Sequence, residues 1–180
     1  MFYNKIKVAF LDRDGVVNIE KNYLYKKEEF KYVKGCIEGL KRLQCDGFKL
    51  VIITNQSGIA RGFYTQKDYQ ELTDWYLSDL KNKGIDILDV YHCPHHINGV
   101  VDKFKRECNC RKPKTGMLER AIHEHNINIE KSILIGDKES DILAGKSIGL
   151  AECYLVTTGH EVPNDFTLCP IINTLEDIPI

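Results

Sequence analysis

Nowhere in the 180 residues does an apolar run reach the length needed to cross a bilayer, so no membrane span is expected. Basic charge is not in excess either. The 25 Lys and Arg stand against 26 Asp and Glu, a net charge of −1. That balance argues against nucleic acid as a partner bound through a broad basic face, while leaving room for a small basic pocket. Internal repeats and low-complexity segments are absent. The segment Met1 to Lys7 is charged and leads straight into a strand-like run, so no secretory leader is expected and the cytoplasm is the expected compartment. What is present, 43% hydrophobic and 28% charged residues, suits one ordinary globular domain over residues 1–180 with a full core.

The seven cysteines are an odd number, and without a leader they do not read as a disulfide framework. Cys36, Cys45, Cys153 and Cys169 are scattered and read as small buried apolar residues. Cys93, Cys108 and Cys110 lie near histidines and read as metal chemistry.

Hydrophobic periodicity alternates between strand and helix. Strands are expected at Ile6 to Leu11, Phe48 to Thr54, Ile87 to His92, Ser132 to Ile135 and Cys153 to Val156. Helices are expected at Cys36 to Cys45, Gln66 to Lys83, Lys114 to His125 and Asp141 to Ile148. Apolar strands alternating with helices predict an α/β fold, a doubly wound parallel sheet covered on both faces in three layers. Ligands of such sheets bind beyond the carboxyl ends of the strands, so polar residues that follow strands are the candidates. The one long stretch without pattern, Pro94 to Pro113, calls for a function or a staple.

Asp12 and Asp14 follow the first strand and are spaced to face one small volume, with Gly15 allowing a sharp turn. A divalent cation and a phosphate ester between them give each a task. Asp12 attacks phosphorus, and Asp14 protonates the leaving group and later deprotonates water. Magnesium suits carboxylates and phosphate oxygens. A calcium loop is excluded, because counting back from Gly15 puts Phe10 at the first ligand position. Asp-x-Asp-Gly alone is a common acidic turn. Thr54, followed by the backbone N–H groups of Asn55, Gln56 and Ser57, can hold phosphate oxygens. Lys112 can neutralise the transferring phosphoryl group, and Arg111 can grip a second anion. Asp137 after the fourth strand is placed to ligate magnesium, with Asp141 as an alternate ligand or a helix cap.

His92-Cys93-Pro94-His95-His96 is answered by Cys108-Asn109-Cys110. Three thiolates and an imidazole, from Cys93, His95, Cys108 and Cys110, fit a closed structural zinc site in a loop over 93–110, with His92 and His96 as alternates. A closed site has no open position for catalysis. It would instead fix Arg111 and Lys112, which follow Cys110 directly. Gaps between the motifs leave no room for a large cap domain, only flaps at Val16 to Gly35 and Gln56 to Tyr64.

This order of motifs, each after its own strand, resembles the haloacid-dehalogenase-like (HAD) superfamily of phosphatases from residue 6 to about 157. The resemblance implies an aspartyl-phosphate on Asp12 and magnesium on Asp12, Asp137 and the Asp14 backbone carbonyl. The runs Leu11-Asp12-Arg13-Asp14-Gly15, Thr54-Asn55-Gln56-Ser57-Gly58-Ile59-Ala60-Arg61-Gly62, Cys93-Pro94-His95-His96, Cys110-Arg111-Lys112-Pro113 and Gly136-Asp137-Lys138 look like one branch, the bacterial heptose bisphosphate phosphatases. That likeness implies release of the 7-phosphate of a small sugar bisphosphate, in the supply of activated heptose for surface glycans such as lipopolysaccharide. It also implies substrate contacts from Arg111 and Lys138 and from the flap Glu20, Lys21, Asn22 and Tyr23. A monomer is expected. The nearest rival, histidinol-phosphate phosphatase, has similar motifs, and the Ser57 to Gly62 run favours the heptose branch. From a different class, a zinc-stabilised binding module without activity is disfavoured by the near-neutral charge and the intact acidic set.

Overall fold

A computed structural model of the chain describes residues 5–180. The first residues of the Met1 to Lys7 segment therefore lie outside the described residues. Five strands follow the expected order: β1 (Val8–Leu11), β2 (Lys49–Asn55), β3 (Ile87–Cys93), β4 (Ile133–Gly136) and β5 (Glu152–Val156). The helices are α1 (Cys36–Cys45), α2 (Gln66–Asn82), α3 (Gly116–His125) and α4 (Glu139–Ser147). A short sixth strand, β6 (Ile171–Ile172), has no counterpart in the sequence reading. Two residues carry too little periodicity to be recognised, and pairing with Leu155 and Val156 makes them a strand.

All pairings are parallel, in the order β3-β2-β1-β4-β5-β6. Alternate strand residues point to opposite layers. Ala9, Leu11, Leu50 and Ile52 pack with Leu40 and Leu43 of α1 and Leu72, Tyr76 and Leu80 of α2. Val8, Phe10, Val51 and Ile53 pack with Met117, Leu118 and Ala121 of α3 and Ile142 and Ala144 of α4. The chain thus winds β1-α1-β2-α2-β3 on one face, returns past β1, and continues on the other. The direction reverses between β1 and β4, and there the crevice opens at the carboxyl ends of the strands.

Local chemistry sets the boundaries. Thr65 caps α2: its Oγ1 accepts from Asp68 N at 3.1 Å, while Asp68 accepts from Thr65 N at 2.7 Å. Such a capping box is worth about 1 kcal/mol. At α4 the Asp141 carboxylate accepts from Lys138 N at 3.1 Å, so the helix begins two residues before the hydrophobic pattern suggests. Among the scattered cysteines, Cys36 and Cys153 are buried as expected and Cys169 is half-buried. Cys45 departs from the expectation. It is exposed, because it ends α1 on the side turned from the sheet.

Candidate active site

Asp12 follows β1 directly and is 7% exposed. Lys112 Nζ lies 3.0 Å from Asp12 Oδ1 and 2.7 Å from Asp141 Oδ1, and donates to Ile53 O at 2.7 Å. The ammonium is therefore fully engaged at the base of the crevice. Burial alone would lower its pKa, but Asp12 and Asp141 outweigh burial and raise it. Asn55 clamps the Lys112 main chain, donating to its carbonyl and accepting from its N–H, each at 3.1 Å. Thr54, almost fully buried at the end of β2, accepts from Gln56 Nε2 at 2.7 Å.

One oxygen each of Asp12, Asp137 and Asp141 lies within 4.8 Å of the others. Three carboxylates less one ammonium leave two formal negative charges in a buried space. Burial first, then the charges of Asp141 and Asp14, push Asp12 up to about 6 against the pull of Lys112. Burial, Asp12 and Asp141 push Asp137 up to about 8. Asp137 Oδ1 is buried without a partner. Its Oδ2 accepts from His160 N at 3.1 Å and contacts His160 Nδ1 at 2.6 Å. Crowded carboxylates with an orphaned oxygen fit a hard divalent cation such as magnesium. Two glycines make the approach possible. Gly15 has φ +86°, and a Cβ on it or on Gly159 would strike the Asp137 carboxylate.

Asp14 is held by other partners. Arg13, itself completely buried, bonds both Asp14 oxygens at 2.8 and 2.9 Å. Asn18 and Gln56 donate to the same carboxylate at 3.0 and 2.9 Å. Burial would raise the Asp14 pKa, but the Arg13 charge and these hydrogen bonds outweigh it and hold the group below the usual carboxylate range.

Above the carboxylates lies a polar cavity of about 290 Å³. Glu20, Asn22, Tyr23, Asn55, Gln56, Ser57, Arg111 and Lys138 line it, together with Asp14. Lys21, expected among them, is exposed and not part of this lining. The side chains of Asn55 and Gln56 are spent inside the protein, the first on Lys112 and the second on Asp14, Thr54 and Tyr64. Three residues of the site escaped sequence reasoning: Arg13, Arg61 and His160. The signal for Arg13 was a cation between two acids just past a buried strand. Arg61 stood in the Ser57 to Gly62 run without a role of its own, and His160 gave no local signal.

In the 93–110 loop, Cys93 Sγ lies 3.5 Å from Cys108 Sγ and 3.0 Å from Cys110 Sγ. His95 Nδ1 is 3.4 Å from Cys110 Sγ and 3.9 Å from Cys93 Sγ. A tetrahedron of bonds of about 2.3 Å has edges of about 3.8 Å, so the four groups fit a zinc ion. Hydrogen bonding among Cys93, His95 and Cys108 outweighs burial and lowers the Cys110 thiol, the direction metal ligation calls for. Neither alternate ligand joins them. His92 packs against the Tyr69 ring, tilted by 31° with ring centroids 4.2 Å apart, and His96 contacts Arg61 at 3.0 Å.

Residues 109–176 match the family model of HAD-hydrolase-like proteins. The chain is 58% identical over 160 residues to D-glycero-alpha-D-manno-heptose-1,7-bisphosphate 7-phosphatase of Photorhabdus laumondii, covering 89% of this chain and 87% of that one. It is 43% identical to the beta-D-manno 7-phosphatase of Pasteurella multocida, over 88% and 86% of the two chains. The crystal structure of D,D-heptose 1,7-bisphosphate phosphatase from B. bronchiseptica, complexed with magnesium and phosphate, superposes with a TM-score of 0.77 at 26% identity, over 95% and 94%. The chain therefore belongs to the HAD-like hydrolases and, within them, to the D-glycero-D-manno-heptose-1,7-bisphosphate 7-phosphatase family.

Proposed function

We propose that the protein is a magnesium-dependent phosphatase that removes the 7-phosphate of D-glycero-D-manno-heptose 1,7-bisphosphate, preferring the α anomer, through an aspartyl-phosphate on Asp12. One observation carries the chemistry. The Asp12 carboxylate is buried at the carboxyl end of the central strand, 3.0 Å from Lys112 Nζ and grouped with Asp137 and Asp141. The α preference is supported by 58% identity to the α-named relative, against 43% or less for the β-named ones.

Asp12 attacks phosphorus as the bond to the sugar C7 oxygen breaks, and Asp14 hands that oxygen a proton. Water then attacks the phosphoryl group, the Asp12–phosphorus bond breaks, and Asp14 takes the water's proton. In the conformation observed Asp14 is a carboxylate bound to Arg13. To act as acid it leaves Arg13, takes up a proton from solvent as substrate fills the cavity, and turns to the leaving oxygen. Its role as base needs no change of charge. Lys112, by its charge, and the Thr54 hydroxyl stabilise the equatorial phosphoryl oxygens, while the Gln56 N–H expected to help is taken by Cys93 O at 2.8 Å. Asp12, Asp137 and the Asp14 backbone carbonyl would hold magnesium, which supplies positive charge to the phosphate oxygens when bound. Cys93, His95, Cys108 and Cys110 would hold zinc in a purely structural role. Arg111 and Lys138 meet the sugar and its second phosphate beside Glu20, Asn22 and Tyr23. The enzyme acts as a monomer in the cytoplasm. The cavity is formed within one chain, and none of the described helices is long and apolar enough to cross a membrane.

The test is kcat/KM for both heptose bisphosphate anomers and for histidinol phosphate, with Asp12→Asn as the dead control. The α anomer should lead by at least tenfold. If histidinol phosphate leads, the heptose reading is wrong, and if Asp12→Asn keeps turnover, the nucleophile is.

A further inference from the structure

We propose that Arg61 joins Arg111 in a clamp for the phosphate that is not cleaved, and that the zinc loop sets Arg61 in place. The proposal rests on the bisphosphate reading above and deepens it.

A bisphosphate brings two dianions into one cavity, and each needs cations. Lys112 is consumed at the reaction centre by Asp12, Asp141 and Ile53 O. Arg13 is paired with Asp14 and does not line the cavity, although its Nη1 also lacks a partner. Among the described residues lining the cavity, the remaining cationic side chains are Arg61, Arg111 and Lys138. The two arginines share a further property. Arg61 Nε and Arg111 Nη1 are buried N–H groups with no acceptor. Buried donors are seldom left unpaired, so an acceptor belonging to a ligand is the natural complement. Guanidinium groups suit it, because their forked N–H groups match phosphate oxygens in pairs.

Arg61 is not free to wander. Its own N–H donates to Ser57 O at 2.9 Å, fixing the turn that carries it. Its Nη2 contacts His96 Nε2 at 3.0 Å, and His96 directly follows the zinc-site residue His95. The preceding carbonyl, Ala60 O, accepts from Val100 N at 2.7 Å and Val101 N at 3.0 Å. A Cβ on Gly99 would stand 2.8 Å from the same oxygen, so the loop lies directly on the turn. On the other side of the loop, Arg111 follows Cys110. One metal-stapled segment thereby positions both guanidiniums. This gives the zinc loop a part in substrate choice, beyond stiffening the fold.

The experiment measures, in each protein sample, the ratio of kcat/KM for heptose 1,7-bisphosphate to that for p-nitrophenyl phosphate, which has no second phosphate. A ratio is insensitive to the fraction of protein that is folded. In Arg61→Met it should fall at least tenfold, through KM for the bisphosphate. Arg61→Lys, which keeps the charge and loses the fork, should fall less, and His96→Leu should fall severalfold. An unchanged ratio, or equal loss on both substrates, overturns the clamp. A wild type that turns over neither heptose anomer sinks the substrate reading by itself. The clamp is then judged on inhibition of aryl-phosphate turnover by fructose 1,6-bisphosphate relative to fructose 6-phosphate. Loss of the bisphosphate's advantage in Arg61→Met supports it, and no advantage in wild type or no change in the variant overturns it.

Discussion

Replacing Lys112 with Met keeps the length of the side chain and removes the one ammonium inside the carboxylate cluster. Both its ion pairs, 3.0 Å to Asp12 and 2.7 Å to Asp141, join groups that are almost wholly buried. Removing one partner of a buried pair costs about 3–5 kcal/mol, because the other charge stays behind. The cost should depend on pH. Asp12 already sits near 6 with the lysine present, and it goes higher without it. A carboxyl whose pKa is raised in the folded state binds more protons there than in the unfolded chain, so its contribution to stability falls as pH rises. If Asp12 rises by a further two units, the variant loses about 3 kcal/mol between pH 5.5 and pH 8 where wild type loses about 1, a difference of roughly 2 kcal/mol, at about 1.4 kcal/mol per pH unit of full titration. Urea denaturation in EDTA at the two pH values measures this. The Lys112→Met, Asp141→Asn double variant should recover part of the loss, since it removes both ends of the tighter pair. Equal destabilisation at pH 5.5 and 8 would show that Lys112 acts as packing and would refute the electrostatic account.

Magnesium affinity of the metal-free protein should rise between pH 6 and pH 8, approaching tenfold per unit for each proton displaced, because Asp12 and Asp137 titrate near 6 and 8. Calorimetric titration at both pH values checks it, and a flat profile would count against those ligands. Gly159→Ala places a methyl group against the Asp137 carboxylate and should weaken magnesium binding at least tenfold while the fold survives. Unchanged affinity would mean the loop after β5 yields freely. Cys108→Ala should abolish stoichiometric zinc by elemental analysis and lower stability and activity together. The loss should stay well under the roughly 10 kcal/mol of an isolated zinc module, because a large core shares the load. Full zinc content in that variant would dismiss the assignment.

Much of the frame was legible before any coordinates. Strand and helix periods repeat along the chain, and the residues that follow β1, β2 and β4 are the ones that meet. The Cys93, His95, Cys108 and Cys110 set was legible too, because ligands close in sequence need only one loop to bring them together. For Asp14, spacing was silent about Arg13, whose side chain bonds both carboxylate oxygens.

The sequence by itself determined the layers of the fold, the strand-end positions of Asp12, Thr54 and Asp137, and the metal-ligand chemistry of the loop, since each depends on period or short spacing. Only the tertiary structure decided which charges neutralise which. Lys112 reaches Asp12 and Asp141 from just beyond the 93–110 loop, Asn55 clamps Lys112 across 57 residues, and His160 meets Asp137 from the turn after β5. Arg61 finds His96 only because the loop folds down onto Ala60. These pairings depend on crossovers between strands, and no local preference encodes a crossover. The carboxylate that began as one half of a common acidic turn owes its chemistry to neighbours that the chain brings from elsewhere.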